Sequence, residues 1–200
     1  MPIVLPLTKP AILKHCSTQV NTGAADVTGA RATSPTLHGE VSDPIGDVGD
    51  RPYPNVANPP DLVHATAGVV AGNITFTVQL APGTFDPGTI LLIINLDTDQ
   101  NPSTGQAPDG VDYIVSMGDG QGNQALVGKY TGPLNFSTVG NVPVSFMADG
   151  MMVAVPLSLL GNADGRMNFR VISFIHLPGM LTSAALDSLP DSGLPPGRVQ

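Results

Sequence analysis

From Leu37 to His176 the chain keeps returning to one pattern: a short run that is apolar, or alternates apolar with polar, closed by Gly, Pro, Asn or Asp. Ile74, Phe76, Val78 and Leu80 alternate with Thr75, Thr77 and Gln79, the period of a strand with one buried face. Thr89 to Leu96 carries the unbroken run Ile90-Leu91-Leu92-Ile93-Ile94, which predicts a central strand buried on both faces. Further strands are expected at 37–42, at 61–70 alternating around Leu62, His64, Thr66 and Gly68, and at 111–117, 125–130, 142–147, 151–155 and 167–176. In the last of these Phe169, Val171, Ser173 and Ile175 share one side. Ala71-Gly72-Asn73 and Asp149-Gly150 are hairpin signals.

Helix signals are sparse. Pro156 to Gly161 predicts one short turn, with Pro near its start and Gly as a stop. Leu181 to Leu189 predicts a second turn, and Pro190 to Gln200 a tail with room for a final edge strand. About nine strands separated by turns, with almost no amphipathic helix, predict an all-β fold. The expected form is a two-sheet antiparallel β-sandwich, jelly-roll or immunoglobulin-like, over residues 37–200. Residues 17–36 are rich in Ser, Thr, Gly and Ala without sustained period, so 1–36 reads as an extended N-terminal arm or linker.

Composition agrees with this and narrows the function classes. The 23 Gly and 20 Pro suit many turns, and 42% apolar content sets the chain apart from disordered sequences. Among 16 acidic residues only Glu40 is Glu. Asp favours turns and loops, so the acidity belongs to loops and not to helix faces. A net charge of −8, with no basic cluster, gives nucleic acid and anionic membranes no electrostatic attraction. Cys16 stands alone and forms no internal disulfide. The N-terminus is apolar in places, but Pro2, Pro6, Pro10 and Lys9 interrupt it, so it is a poor signal peptide. No apolar run reaches the length of a membrane span.

The loop Asp97-Thr98-Asp99-Gln100-Asn101-Pro102-Ser103-Thr104-Gly105 follows the apolar strand directly. Asp97, Asp99, Asn101 and Ser103 are spaced two apart, and alternate positions of a loop curled round a cation can point inward. Asp109 or Asp112 can add an oxygen when the loop folds back. The start matches an EF-hand loop, but Pro102 stands where the turn glycine belongs, Pro108 replaces the bidentate Glu, and the flanks are strands. The expectation is a strand-flanked calcium loop, against a solvated turn in which Asp and Asn cap their own backbone. A second candidate group is Asp43, Asp47 and Asp50 with Asp61, for which ordinary turn chemistry is the stronger competing reading.

These residues carry a family resemblance. Asp43-Pro44-Ile45-Gly46-Asp47, Tyr53-Pro54, and Pro60-Asp61-Leu62 leading into a hairpin resemble the calcium-binding region of glucodextranase-type C-terminal domains. The wider group includes DOMON-like and family 9 carbohydrate-binding modules. Ile94 to Asn101, Thr104-Gly105 and Gly110-Val111-Asp112-Tyr113 are similar to a pattern in bacterial secreted proteins of the same kind. The resemblance implies a β-sandwich, structural calcium and association with carbohydrate or the cell surface. By that analogy Asp47 and Asp61 are ligands of one calcium, and Asp97 and Asp99 of another. The chain departs from sugar-binding modules in having no Trp. Tyr53 and Tyr130 are then the candidate ligand-binding aromatics.

Catalysis finds little support. No nucleophile elbow and no zinc-binding helix motif occurs, and His15, His38, His64 and His176 are scattered without ligand spacing. His64 and His176 read as ordinary strand histidines, and Cys16 has no evident partner. The sequence therefore predicts a secreted or cell-surface, non-catalytic, calcium-stabilised module for a glycan or cell-envelope component. The alternative is a subunit of a surface layer or filament that self-assembles by strand addition of its N-terminal arm.

Overall fold

A computed structural model of the chain describes residues 37–48, 58–118, 121–175 and 184–200. The N-terminal arm, Cys16, Asp50, Tyr53 and His176 lie outside the described residues. Eleven strands are present among those described: β1 (Leu37–Ser42), β2 (Leu62–Val70), β3 (Asn73–Leu80), β4 (Ile90–Asp97), β5 (Tyr113–Gly118), β6 (Gln124–Gly132), β7 (Asn135–Met147), β8 (Gly150–Pro156), β9 (Met167–Ile175), β10 (Ala184–Leu189) and β11 (Gly197–Val199). The expected helical turn is a single 3₁₀ turn at Leu157–Leu160, ended by Gly161 with φ 71°. The turn expected at 181–189 is corrected: Ala184–Leu189 is a strand on β9. The strand is set by its pairing with β9, which no local signal announces.

Every pairing is antiparallel, and the order is β1-β2-β3-β8-β7-β6-β5-β4-β9-β10, with β11 also on β9. The path nearly closes on itself as a barrel. His38 and Gln200 exchange two backbone hydrogen bonds of 3.3 Å, tying β1 to the residue after β11. The expected all-β antiparallel character holds, and its strands form one continuous hydrogen-bonded sheet. The continuity comes from β7, whose Asn135–Pro143 part pairs with β6 and whose Val144–Met147 part pairs with β8. The change of partner falls at Pro143, which has no N–H to give to either neighbour.

The interior collects the alternate residues that the pattern marks. Ile74, Phe76, Val78 and Leu80 of β3 are buried, and Phe76 meets Phe169 of β9 edge-to-face at 5.8 Å between centroids. In β4 Ile90, Leu92, Ile94 and Leu96 are buried, whereas Leu91 and Ile93 are only half-buried, so full burial on both faces does not hold. In β2 the inward set is Ala65, Ala67 and Val69, not His64, Thr66 and Gly68. A bulge between Leu62 and His64 shifts the register and puts Leu62 and Ala65 on the same inner side. The β2–β3 hairpin turns at Ala71 and Gly72, both with positive φ (50° and 77°), the conformation a two-residue hairpin loop requires.

Candidate metal centre and adjoining cavity

The 97–112 loop is built mainly from its own hydrogen bonds. Asp97, at the end of β4, is 2% exposed. Its Oδ2 accepts from Asn168 Nδ2 at 2.8 Å, and its Oδ1 from the Asn101 N–H at 3.0 Å. The same N–H lies 2.9 Å from Asp99 Oδ1. Asp112 Oδ2 accepts from both the N–H and the hydroxyl of Thr98 at 2.9 Å. Asp97, Asp99 and Asp112 each bring a carboxylate oxygen within 4.8 Å of the others. Burial raises the Asp97 carboxyl above its ordinary value against the pull of Asn168 and the Asn101 N–H, and neighbouring Asp99 raises it further. Asn101 and Ser103 are exposed, and Asn101 Oδ1 is occupied by the Ser103 N–H at 3.1 Å. Of the six sequence-marked donors the loop therefore gathers Asp97, Asp99 and Asp112, while Asp109 accepts from Arg170 instead.

The second group is larger than the sequence suggests. Asp43 follows β1, Asp47 comes just after the turn at 45–46, and Asp61 precedes β2. The fold adds Asp187 of β10 and Asp191 just after it. Oxygens of Asp43, Asp187 and Asp191 lie within 4.8 Å of one another. Three carboxylate oxygens in this group, Asp43 Oδ2, Asp47 Oδ1 and Asp61 Oδ1, are buried without a hydrogen-bond partner. Asp61 is 4% exposed, and its other oxygen accepts from the Gly46 N–H at 2.8 Å. Asp187 is held on both sides: Oδ2 by the Leu62 N–H at 2.6 Å and Oδ1 by the Ser188 N–H at 2.8 Å. A register shift between Ala185 and Asp187 sets the aim of that side chain.

The electrostatics match the geometry. Burial pushes the Asp43 carboxyl up to about 6, and Asp47, Asp191, Asp187 and Asp61 add to the rise. Burial also pushes Asp187 up to about 6, against its two N–H donors and with Asp47 and Asp61 adding. No Lys, Arg or His forms an ion pair with any of the five among the described residues. Buried carboxylates are ordinarily paired or bound to a metal, and leaving one unsatisfied costs about 1–3 kcal/mol or more. Three such oxygens facing like charges are the chemistry of a hard-cation site. Asp187 and Asp191 were not legible in advance: Leu62 and Asp187 are 125 residues apart, and only the closure of the sheet joins them.

Beside this group lies a cavity of about 770 Å³, whose lining includes Asp187 and Asp191 together with Asn95, Gln106, Asp109 and Arg170. Arg170 is 7% exposed and straps the walls together. Its Nε donates to Asp109 Oδ2 at 2.7 Å and Nη2 to Leu194 O at 2.7 Å, while Nη1 reaches Asp191 O at 2.8 Å and also Pro190 O. A smaller cavity of about 380 Å³ is bordered by Asp99, Asp112, Tyr113, Lys129 and Tyr130. Tyr130 is half-buried there, its ring edge-on to Phe136 at 5.7 Å.

The histidines are less scattered than their sequence spacing implies. Pairing of β1 with β2 puts His38 and His64 on either side of Glu40, with Nε2 to carboxylate distances of 3.6 and 3.7 Å, and Ser42 Oγ 3.0 Å from His64 Nδ1. These side chains sit on the outer face of the pair, and neither cavity includes them. No helix among the described residues is long and apolar enough to cross a membrane. No protein-family model matches the chain, and no curated protein matches it in sequence.

Proposed function

We propose that the protein is a non-catalytic, calcium-stabilised module of the sandwich type, working outside the cell as a binder of a glycan or cell-envelope component. In this reading the change of partner along β7 divides the sheet into two facing walls. The single observation that carries the proposal is the set of buried, unpartnered oxygens of Asp43, Asp47 and Asp61, beside the converging carboxylates of Asp43, Asp187 and Asp191. A divalent cation there satisfies the orphaned acceptors and offsets the mutual repulsion of five carboxylates. Calcium accepts all-oxygen sets of irregular geometry, which suits donors drawn from three separate segments better than the strict octahedron of magnesium. The loop carboxylates Asp97, Asp99 and Asp112 are a second, weaker candidate, because their oxygens already hold N–H and O–H donors.

Calorimetric titration of calcium into the full chain tests this. The expected result is a site lost in Asp61→Asn and Asp47→Asn but retained in Asp99→Asn. Equal binding by all three variants, or none by the wild type, contradicts it.

A further inference from the structure

The 770 Å³ cavity and the converging group of Asp43, Asp187 and Asp191 share two residues, Asp187 and Asp191. We infer that this cavity is the ligand site of the module, and that it takes a neutral, polyhydroxylated ligand, a saccharide, whose hydroxyls complete the coordination of the cation. The inference rests on the calcium reading above and assigns its ligand site and ligand class.

The coordination count leaves room for the ligand. Calcium takes six to eight oxygens. One oxygen from each of Asp43, Asp187 and Asp191, which lie within 4.8 Å of one another, leaves about three to five positions, and two of these ligands form part of the cavity wall. The size fits as well: small-molecule sites commonly measure about 300–1,000 Å³. The cavity also has a rigid frame, since Arg170 fastens the 106–111 loop to the 190–194 segment across it.

The wall chemistry selects the ligand class. A guanidinium has five N–H donors, and all five of Arg170 are committed: to both oxygens of Asp109 and to the carbonyls of Pro190, Asp191 and Leu194. It has no donor left for an anionic ligand. The acceptors are in surplus. Gln106 Oε1 is buried without a partner, and the Asp191 carboxylate stands in the same wall. Hydroxyls are suited to this setting, since each donates to such an acceptor while its oxygen faces the cation. The apolar faces of Ile172, Leu194 and Pro196 supply the contact that an aromatic platform gives elsewhere. Capture through a cation removes the need for Trp, the residue this chain lacks.

The test uses the full chain, with glucose, galactose, mannose, xylose and N-acetylglucosamine as free sugars and short β-linked oligomers. Binding is read by calorimetry in calcium and in chelator, with 1,4-diaminobutane as a cationic control. At least one sugar is expected to bind in calcium and to lose at least tenfold in affinity in chelator. Ile172→Trp, which fills the cavity, and Asn95→Leu, on its wall, are expected to weaken sugar binding at least tenfold and to keep the calcium-dependent rise in melting temperature. A calcium effect without sugar binding overturns this inference and spares the metal reading. So does sugar binding that survives chelation or ignores both variants, or diamine binding in place of sugar. The absence of any calcium effect removes both.

Discussion

At the scale of single residues, most of what positions the acidic loop is backbone geometry that only particular side chains permit. Gly110 has φ 71°, and a Cβ there would stand 2.6 Å from Asn101 O and from Pro102 Cα. Gly110→Ala should destabilise the domain by about 1–3 kcal/mol, from left-handed strain added to the clash, as read by chemical denaturation. A loss below a few tenths of a kcal/mol would show that the loop is looser than described. The Asp97-Thr98-Asp99 spacing was legible as a convergent set, and Asp97, Asp99 and Asp112 do converge. What the spacing could not show is that Asn101 turns its oxygen to Ser103 and that Thr98 caps Asp112. Both are local satisfactions that compete with metal binding for the same lone pairs.

Elements explain why the stronger acidic group was the harder to see. Asp43 and Asp47 both follow β1, Asp61 precedes β2, and Asp187 sits in β10, a strand whose Ala-Ala-Leu-Asp-Ser-Leu sequence has no alternation to distinguish it from a helical turn. The N-terminal half of β7 was hidden for a related reason. Asn135 to Asn141 is mostly exposed and polar, so it leaves no apolar period to read. Arg170 is the element-scale brace of the cavity. Removing one partner of a buried ion pair costs about 3–5 kcal/mol. Arg170→Ala should lose that order of stability, and amide exchange should accelerate first in 106–111 and 190–194. Arg170→Lys should rescue little, because one ammonium cannot reach Asp109 and three carbonyls together. Full rescue by Lys would show that only the charge matters.

For the whole molecule, closure of the sheet has an electrostatic consequence. It brings together carboxylates that are far apart in the unfolded chain. In the folded, metal-free protein Asp43 and Asp187 hold protons up to about pH 6, whereas their ordinary value is 3.8. The folded state therefore binds more protons than the unfolded state between these values, and metal-free stability falls as pH rises through that window. Denaturation in chelator should give a higher midpoint at about pH 5 than at about pH 7, and calcium, which binds the ionised form, should reverse that order. A chelator profile that climbs with pH across the window would contradict the convergence of these groups.

The most direct measurement is thermal melting of the full chain at neutral pH in excess calcium and in chelator, for wild type and Asp61→Asn. Saturation at about 100 times the dissociation constant adds about 2.7 kcal/mol of stability. In a domain of this size that corresponds to a rise of roughly 5–10 °C. The wild type should show such a rise and Asp61→Asn should lose most of it. Superimposable wild-type curves with and without calcium would contradict the metal centre and, with it, the function built on it.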